Sequence, residues 1–198
     1  MRRLASSLAR HLRRIRGDER GVVAVETLII APLLMLGLLF SYEAYSMFRQ
    51  QSLREKATYT VADILSRETA VVTDLYLDNI KRVFDLMSGT DDAQLRISAV
   101  RYRKDSHDDI DEFDLRWSKV RGEGAMTALT DGEVRKAHGV FPVMDDGEEI
   151  ILVESSGRFT PPVSTGYFTG HPLETQMFVI PRFAPQLCFT DTCVPGTG

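Results

Sequence analysis

Most of the residue patterns that mark enzymes and metal proteins are missing from this chain. It has two cysteines and four histidines in 198 residues. The histidines are far apart and show neither an H-E-x-x-H nor a Cys/His spacing, so zinc is not expected. They are His11, His107, His138 and His171. There is no G-x-S-x-G elbow, and Gly122-Glu-Gly124 lacks the third glycine of a phosphate loop. We therefore expect a non-enzymatic protein with no cofactor and no metal.

Basic residues are absent from a long apolar stretch near the N-terminus. Val22 to Phe48 contains no lysine or arginine, and Leu28–Phe40 carries no charge at all. A helix over Val22–Phe40 would be about 28 Å long, close to the ~30 Å hydrocarbon core of a bilayer. No comparable run follows Phe48, so we predict one transmembrane helix, residues 22–48.

The net charge of −4 is unevenly distributed. Residues 1–20 hold seven arginines against Asp18 and Glu19, a net charge of +5, which leaves −9 for the rest. The positive-inside rule then places the N-terminus in the cytoplasm and residues 49–198 on the other side of the membrane. No aromatic residues alternate with the arginines as a stacking platform for bases, so nucleic acid is not an expected partner.

Glu26 is a charged residue near the start of the apolar stretch, where a charge is unusual. An ionised side chain in the middle of a span costs about 2.5–3.5 kcal/mol on insertion scales, so such residues tend to be paired and functional. The alternative is that Glu26 lies near the headgroups and extends to water.

The sequence around Glu26 resembles a type IV prepilin leader junction. In that family a prepilin peptidase cuts after a glycine, and the fifth residue of the mature chain is a glutamate. The resemblance places the cut after Gly21, begins the mature chain at Val22 and gives Glu26 the family position. It implies that the new α-ammonium of Val22 partners Glu26, within one subunit or between neighbours, and so favours subunit assembly.

Among type IV pilins, the sequence resembles one branch in particular, the TadE/TadG-like (including TadF-like) minor pilins of Tad or Flp pilus systems. Val25-Glu26, Pro32, Glu43 and the polar run Arg49–Ala57 resemble the N-terminal segment of that group, although Thr27 stands where an aromatic residue is usual. Pro181–Cys188 resembles its closing segment.

This resemblance implies a single-pass protein of the bacterial inner membrane with a periplasmic head. It would initiate, cap or prime an adherence pilus, and whether it enters the filament stays open. The partners it implies are the prepilin peptidase, other minor pilins, the pilus assembly machinery and inner-membrane lipid.

A secretory signal is the competing interpretation of the same N-terminus. Ala44-Tyr45-Ser46 has the small-x-small pattern of a signal-peptidase site, and cleavage there would release a chain that starts at Met47. An uncleaved signal anchor is a further alternative. Either would give a periplasmic or membrane-anchored binding protein instead of a pilin.

An α+β fold is predicted beyond the membrane. Leu53, Ala57, Val61 and Leu65 recur at helical spacing without glycine or proline, so one helix should run from about Val22 to about Arg67. A second helix is predicted to end at Ser88-Gly89. Four antiparallel strands should pack on these helices, with a short helix within Met126–Ala137. The predicted strands are 95–102, 113–120, 149–156 and 175–180.

The predicted organisation is a basic leader 1–21, the transmembrane helix 22–48, a stalk 49–68 and a head 69–198. The acidic run Asp105–Asp114 lacks the mid-loop glycine of an EF-hand and is interpreted as a solvated turn. Cys188 and Cys193 are expected to form a disulfide in an oxidising compartment, the alternative being two reduced thiols. Trp117 is expected in the core.

Overall fold

The computed structural model describes residues 19–105, 110–161, 163 and 166–190. It contains a long N-terminal helix followed by a four-stranded antiparallel sheet packed with helices, which confirms the α+β prediction. The helices are α1 (Glu19–Ser66), α2 (Asp74–Ser88) and α3 (Asp131–Val134). The strands are β1 (Gln94–Asp105), β2 (Ile110–Arg121), β3 (Glu149–Arg158) and β4 (Pro172–Val179). The chain forms two compact units, Met1–Tyr45 and Ser46–Gly198, which we describe in turn.

The first unit contains the apolar part of α1. Leucine, methionine and alanine favour a helix here, and the helix continues through Pro32. The hydroxyls of Thr27 and Ser41 each donate to the carbonyl four residues earlier, at Val23 and Gly37, with distances of 2.8 Å. These polar groups are thus satisfied inside the helix, as a lipid environment requires.

The second unit, Ser46–Gly198, begins with the last part of α1, and from here on the name head refers to this whole unit. Ala57, Val61 and Leu65 are fully buried, as the predicted spacing required. The predicted stalk, residues 49–68, therefore contributes to the same compact unit as the sheet. Helix α1 ends at Ser66, whose carbonyl accepts a 2.7 Å hydrogen bond from the backbone N–H of Arg182.

Helix α2 has a defined start and end. The side chain of Thr73 accepts from the N–H of Tyr76 at the N-terminus, and Gly89 adopts a left-handed φ of 73° at the C-terminus. This confirms the predicted end at Ser88-Gly89. The inner face of α2 buries Leu77, Ile80 and Phe84.

The sheet has the order β2-β1-β3-β4, and each neighbouring pair is antiparallel. β1 and β2 form the predicted hairpin, with a bulge between Ala99 and Val100. β4 begins at Pro172, three residues before the predicted Thr175, because an edge strand tolerates proline as its first residue. The predicted short helix within 126–137 is the single turn α3.

The two faces of the sheet have separate apolar clusters. One face packs on α1 and α2 and includes Leu95, Ile97, Trp117 and Ile151. Trp117 is 5% exposed, which confirms that it is a core residue. The other face carries a smaller cluster around Phe113 and Phe141, whose ring centroids are 4.8 Å apart.

Candidate functional site

The apolar part of α1 exposes almost all of its large side chains. Leu28 is 75% exposed and Leu38 69%, and the other large apolar side chains from Val23 to Phe40 are between 38% and 68% exposed. A contiguous apolar surface of this extent marks a contact with a membrane or with protein. By length and composition α1 is the one helix among the described residues that could cross a membrane. It is therefore a candidate membrane span or signal anchor.

The three residues of the predicted processing and assembly site lie close together on α1. Gly21 and Val22 fall in its first turns, and Glu26 follows one turn after Val22. Residues four apart lie on the same helix face, with a rise of about 6 Å between them. Glu26 is exposed, and none of the side chains that the structure describes forms an ion pair with it. Cleavage after Gly21 would require the start of the helix to unwind, since a protease needs an extended backbone.

The C-terminal segment is fixed inside the head. Leu187 and Phe189 are buried in the apolar cluster between the sheet and helices α1 and α2. Phe189 also pairs with Val72 in an isolated parallel bridge. The Trp117 indole N–H donates to the carbonyl of Leu187 at 2.8 Å. Cys188, which lies between these residues, is disulfide-bonded. Its predicted partner, Cys193, lies outside the described residues, so the structure describes only the Cys188 half of the predicted pair.

Glu149 is a buried carboxylate that holds this segment. Its side chain is 1% exposed, and one oxygen accepts the backbone N–H of Leu187 at 2.7 Å. Its other oxygen lies 3.5 Å from the Arg101 guanidinium. Burial raises the pKa of Glu149, while the Leu187 hydrogen bond and the positive charge of Arg101 oppose that rise. Sequence reasoning placed Glu149 at the start of a strand and gave no sign that it was buried.

Arg54 is a second buried charge that sequence reasoning did not identify. It is fully buried, and its Nη2 donates to Asp92 at 2.9 Å. Burial lowers the pKa of Arg54, and the Asp92 carboxylate opposes that shift. Arg54 lies one turn before the buried Ala57 and Thr58 on α1, but its partner Asp92 is 38 residues away in sequence, so the pairing was not visible from the sequence. Its geometry is that of a structural ion pair between α1 and the start of β1.

Two acidic residues of the hairpin, Glu112 and Asp114, are engaged with arginines, and Asp111 accepts a 2.7 Å hydrogen bond from the Tyr102 hydroxyl. Arg103 contacts Glu112 at 3.1 Å and Asp114 at 3.2 Å, and Arg135 lies 3.6 Å from Glu112. Outside residues 1–18, 106–109, 162, 164–165 and 191–198, no group of three or more metal-type ligands comes together. His107 and His11 lie in those undescribed ranges. The acidic run therefore contributes ion pairs to the hairpin.

Comparison of the chain with protein-family models, curated proteins and solved structures gives no match.

Proposed function

We propose that this protein is a minor pilin or pseudopilin of the Tad/Flp type, anchored in the inner membrane by the apolar part of α1 with its head in the periplasm. Prepilin peptidase would process it after Gly21, and its partners would be other minor pilins and the pilus assembly machinery. Its role would be to initiate, cap or prime an adherence pilus.

The observation that carries the proposal is the position of Glu26. It is a carboxylate on an apolar, exposed helix surface, one turn after the proposed new N-terminus at Val22. Cleavage would create an α-ammonium on the same helix face, and pairing would offset the cost of placing a carboxylate in lipid. The ammonium of a neighbouring subunit offers the same chemistry, so Glu26 could couple maturation to assembly.

The first experiment determines the N-terminus of the mature protein by intact mass. We expect a chain that begins at Val22, and Gly21→Ala should accumulate the uncut precursor. Gly37→Ala is the matched control, because Gly37 lies in the same helix and an added methyl there would meet open space. Normal processing of Gly21→Ala would contradict the proposed site.

The second experiment tests Glu26. Glu26→Ala should be cleaved and inserted normally but should lose pilus assembly and surface adherence. Thr27→Ala is the control, because the Thr27 hydroxyl bonds within the helix to Val23. If Glu26→Ala cells assemble pili at the wild-type level, the carboxylate has no assembly role.

A membrane-anchored or secreted periplasmic binding protein is the second candidate. The observation that favours it is the long apolar helix itself, since signal anchors and signal sequences share this property. A mature chain that starts at Met47 would indicate a secretory signal. An intact Met1 would indicate an uncleaved anchor.

A further inference from the structure

The two edge strands of the sheet, β2 and β4, differ in whether another segment of the chain covers them. On the outer side of β2, the N–H of Phe113 donates to the carbonyl of Arg135 at 3.0 Å, and the N–H of Leu115 reaches Asp131 at 3.4 Å. The segment around α3 thus covers that edge. β4 pairs with β3 on one side, and no strand in the described part of the chain pairs with its other side. An uncovered edge is a template for a further strand.

The outward-facing backbone groups of β4 can be assigned. Phe159 and His171 continue the β3–β4 register, and the N–H of Phe159 donates to the carbonyl of His171 at 2.9 Å. Hydrogen-bonded pairs alternate along antiparallel strands, so the odd-numbered residues of β4 bond to β3. The N–H and C=O groups of Glu174, Gln176 and Phe178 therefore point away from β3. The Glu174 carbonyl already accepts a 3.5 Å hydrogen bond from the side-chain amide of Gln51 on α1, whereas no such contact engages Gln176 or Phe178 among the described residues.

A groove runs between this edge and the head part of α1, and we call it the β4 groove. It consists of three adjoining cavities of about 310, 520 and 590 Å³. Neighbouring cavities share lining residues, Gln51 and Glu174 for the first two and Tyr59 and Met177 for the last two. Eight residues of β4 extend about 27 Å, and the helix from Met47 to Asp63 rises about 24 Å. The groove thus has the length of one strand.

We propose that the β4 groove binds an extended segment of another protein, which pairs with β4 as a fifth strand. Main-chain hydrogen bonds to Gln176, Phe178 and the N–H of Glu174 would supply affinity, and side chains entering the groove would supply specificity. Glu55, Lys56 and Glu174 line the middle of the groove, where two carboxylates and one ammonium give a net charge of −1. Tyr59, Ala62 and Val179 line its far part. The bound segment therefore carries a basic residue near the two carboxylates and apolar residues beyond it.

A second copy of this chain fits the edge less well. β4 starts beside Met47 and ends beside Ala62, so it runs in the same direction as this part of α1. Two-fold pairing of two β4 edges would be antiparallel and would put the two Ser46 residues at opposite ends of the joined sheet. Two copies anchored in one membrane by the preceding apolar helix need both Ser46 residues on the same side. The strand-binding proposal itself does not depend on a role in a pilus.

The test uses the full-length protein in detergent micelles and a fluorescein-labelled peptide of ten residues, alternating threonine and valine with lysines at its two central positions. Fluorescence anisotropy should show saturable binding below about 1 mM. The same peptide N-methylated at alternate amides should bind at least about tenfold more weakly, because it cannot form the ladder. A version with glutamates in place of the lysines should bind several-fold more weakly.

The matched variants are Gln176→Pro and Gln176→Ala. Proline removes one outward N–H and leaves the β3–β4 bonds in place, so it should weaken binding about tenfold. Alanine keeps the N–H and should bind like the wild type. Equal binding by Gln176→Pro and wild type, or no saturable binding by the wild type, would overturn the proposal.

Amide hydrogen exchange on the wild-type protein tests the same point independently of any variant. Without peptide, the amides of Glu174, Gln176 and Phe178 should exchange faster than those of Thr175 and Met177, and the peptide should slow them. Slow exchange before addition would mean that the edge is already covered, by a second copy or otherwise. Binding without slowing would mean that the groove holds the peptide through side-chain contacts, without strand pairing. Either result would refute the proposal.

Discussion

Glu26 and Arg54 are two charged residues on the same helix, and α1 places them in opposite situations. Arg54 is fully buried against the sheet, and its partner Asp92 comes from the same chain. Glu26 is exposed on an apolar surface, and no side chain that the structure describes pairs with it. A charge within an apolar helical pattern is therefore no sign of function by itself. The useful distinction is whether the fold supplies the partner.

The largest effect should come from comparing leucines in the two parts of α1. Leu65→Ala leaves a cavity in the core and should lower the free energy of unfolding of the head by about 2–5 kcal/mol. Leu38→Ala should change it by less than about 0.5 kcal/mol, because Leu38 is 69% exposed. Denaturant unfolding followed by Trp117 fluorescence measures both. Equal losses would show that the apolar part of α1 also stabilises the head.

Gly157 provides a sharper test of the Arg54 environment. A methyl group on Gly157 would clash with the Arg54 guanidinium, whose Cζ would lie 2.8 Å away. Gly157→Ala should therefore cost about 1–3 kcal/mol of unfolding free energy through overpacking. Gly132→Ala, where the added methyl meets open space, is the control for the thermal or denaturant melt. A neutral Gly157→Ala would mean that Arg54 can leave its site at little cost.

The ion pair itself should contribute less, because the Asp92 side chain is 43% exposed to solvent. We expect Asp92→Asn to lower the unfolding free energy by about 1 kcal/mol. Asp91→Asn, at the exposed neighbouring position, should be nearly neutral. The paired denaturation curves give the difference. If the two variants behave alike, the charge of Asp92 does not stabilise buried Arg54.

Glu149 should give the smallest effect, a dependence of stability on pH. Its folded pKa is raised, so the ionised carboxylate is disfavoured in the native state. The contribution of Glu149 to stability therefore falls as pH rises from below its unfolded pKa of about 4.3 through its folded pKa. Glu149→Gln lacks this loss and should gain stability relative to wild type as the pH rises above about 4.3. Exposed Glu123→Gln is the control in the same pH series of unfolding curves. A constant difference between Glu149→Gln and wild type would contradict the assignment.

Regular structure was largely predictable because its signals are local. The helical spacing of apolar residues predicted the buried face of α1, and Gly89 predicted the end of α2. The alternation of apolar and polar residues predicted the β1–β2 hairpin. The burial of Arg54 and Glu149 was not predictable, because their partners Asp92 and Leu187 are 38 residues away in sequence in each case. The open edge of β4 was likewise hidden, since strand order is a tertiary property. The processing and assembly roles of Gly21, Val22 and Glu26 stay predictions that need chemical tests.

The position of the C-terminal segment also has a consequence for the timing of folding. Thr190 bonds to Val72 across 118 positions of sequence, and buried Phe189 beside it completes the main cluster. Contacts of such separation form late, because the chain between them must first be ordered or closed into a loop. A nascent chain leaves the ribosome N-terminus first. It therefore cannot complete this apolar cluster until residues 187–190 have been synthesised and released. During that interval the apolar cluster between the sheet and helices α1 and α2 is incomplete. The partly folded head is then most exposed to proteases and to aggregation.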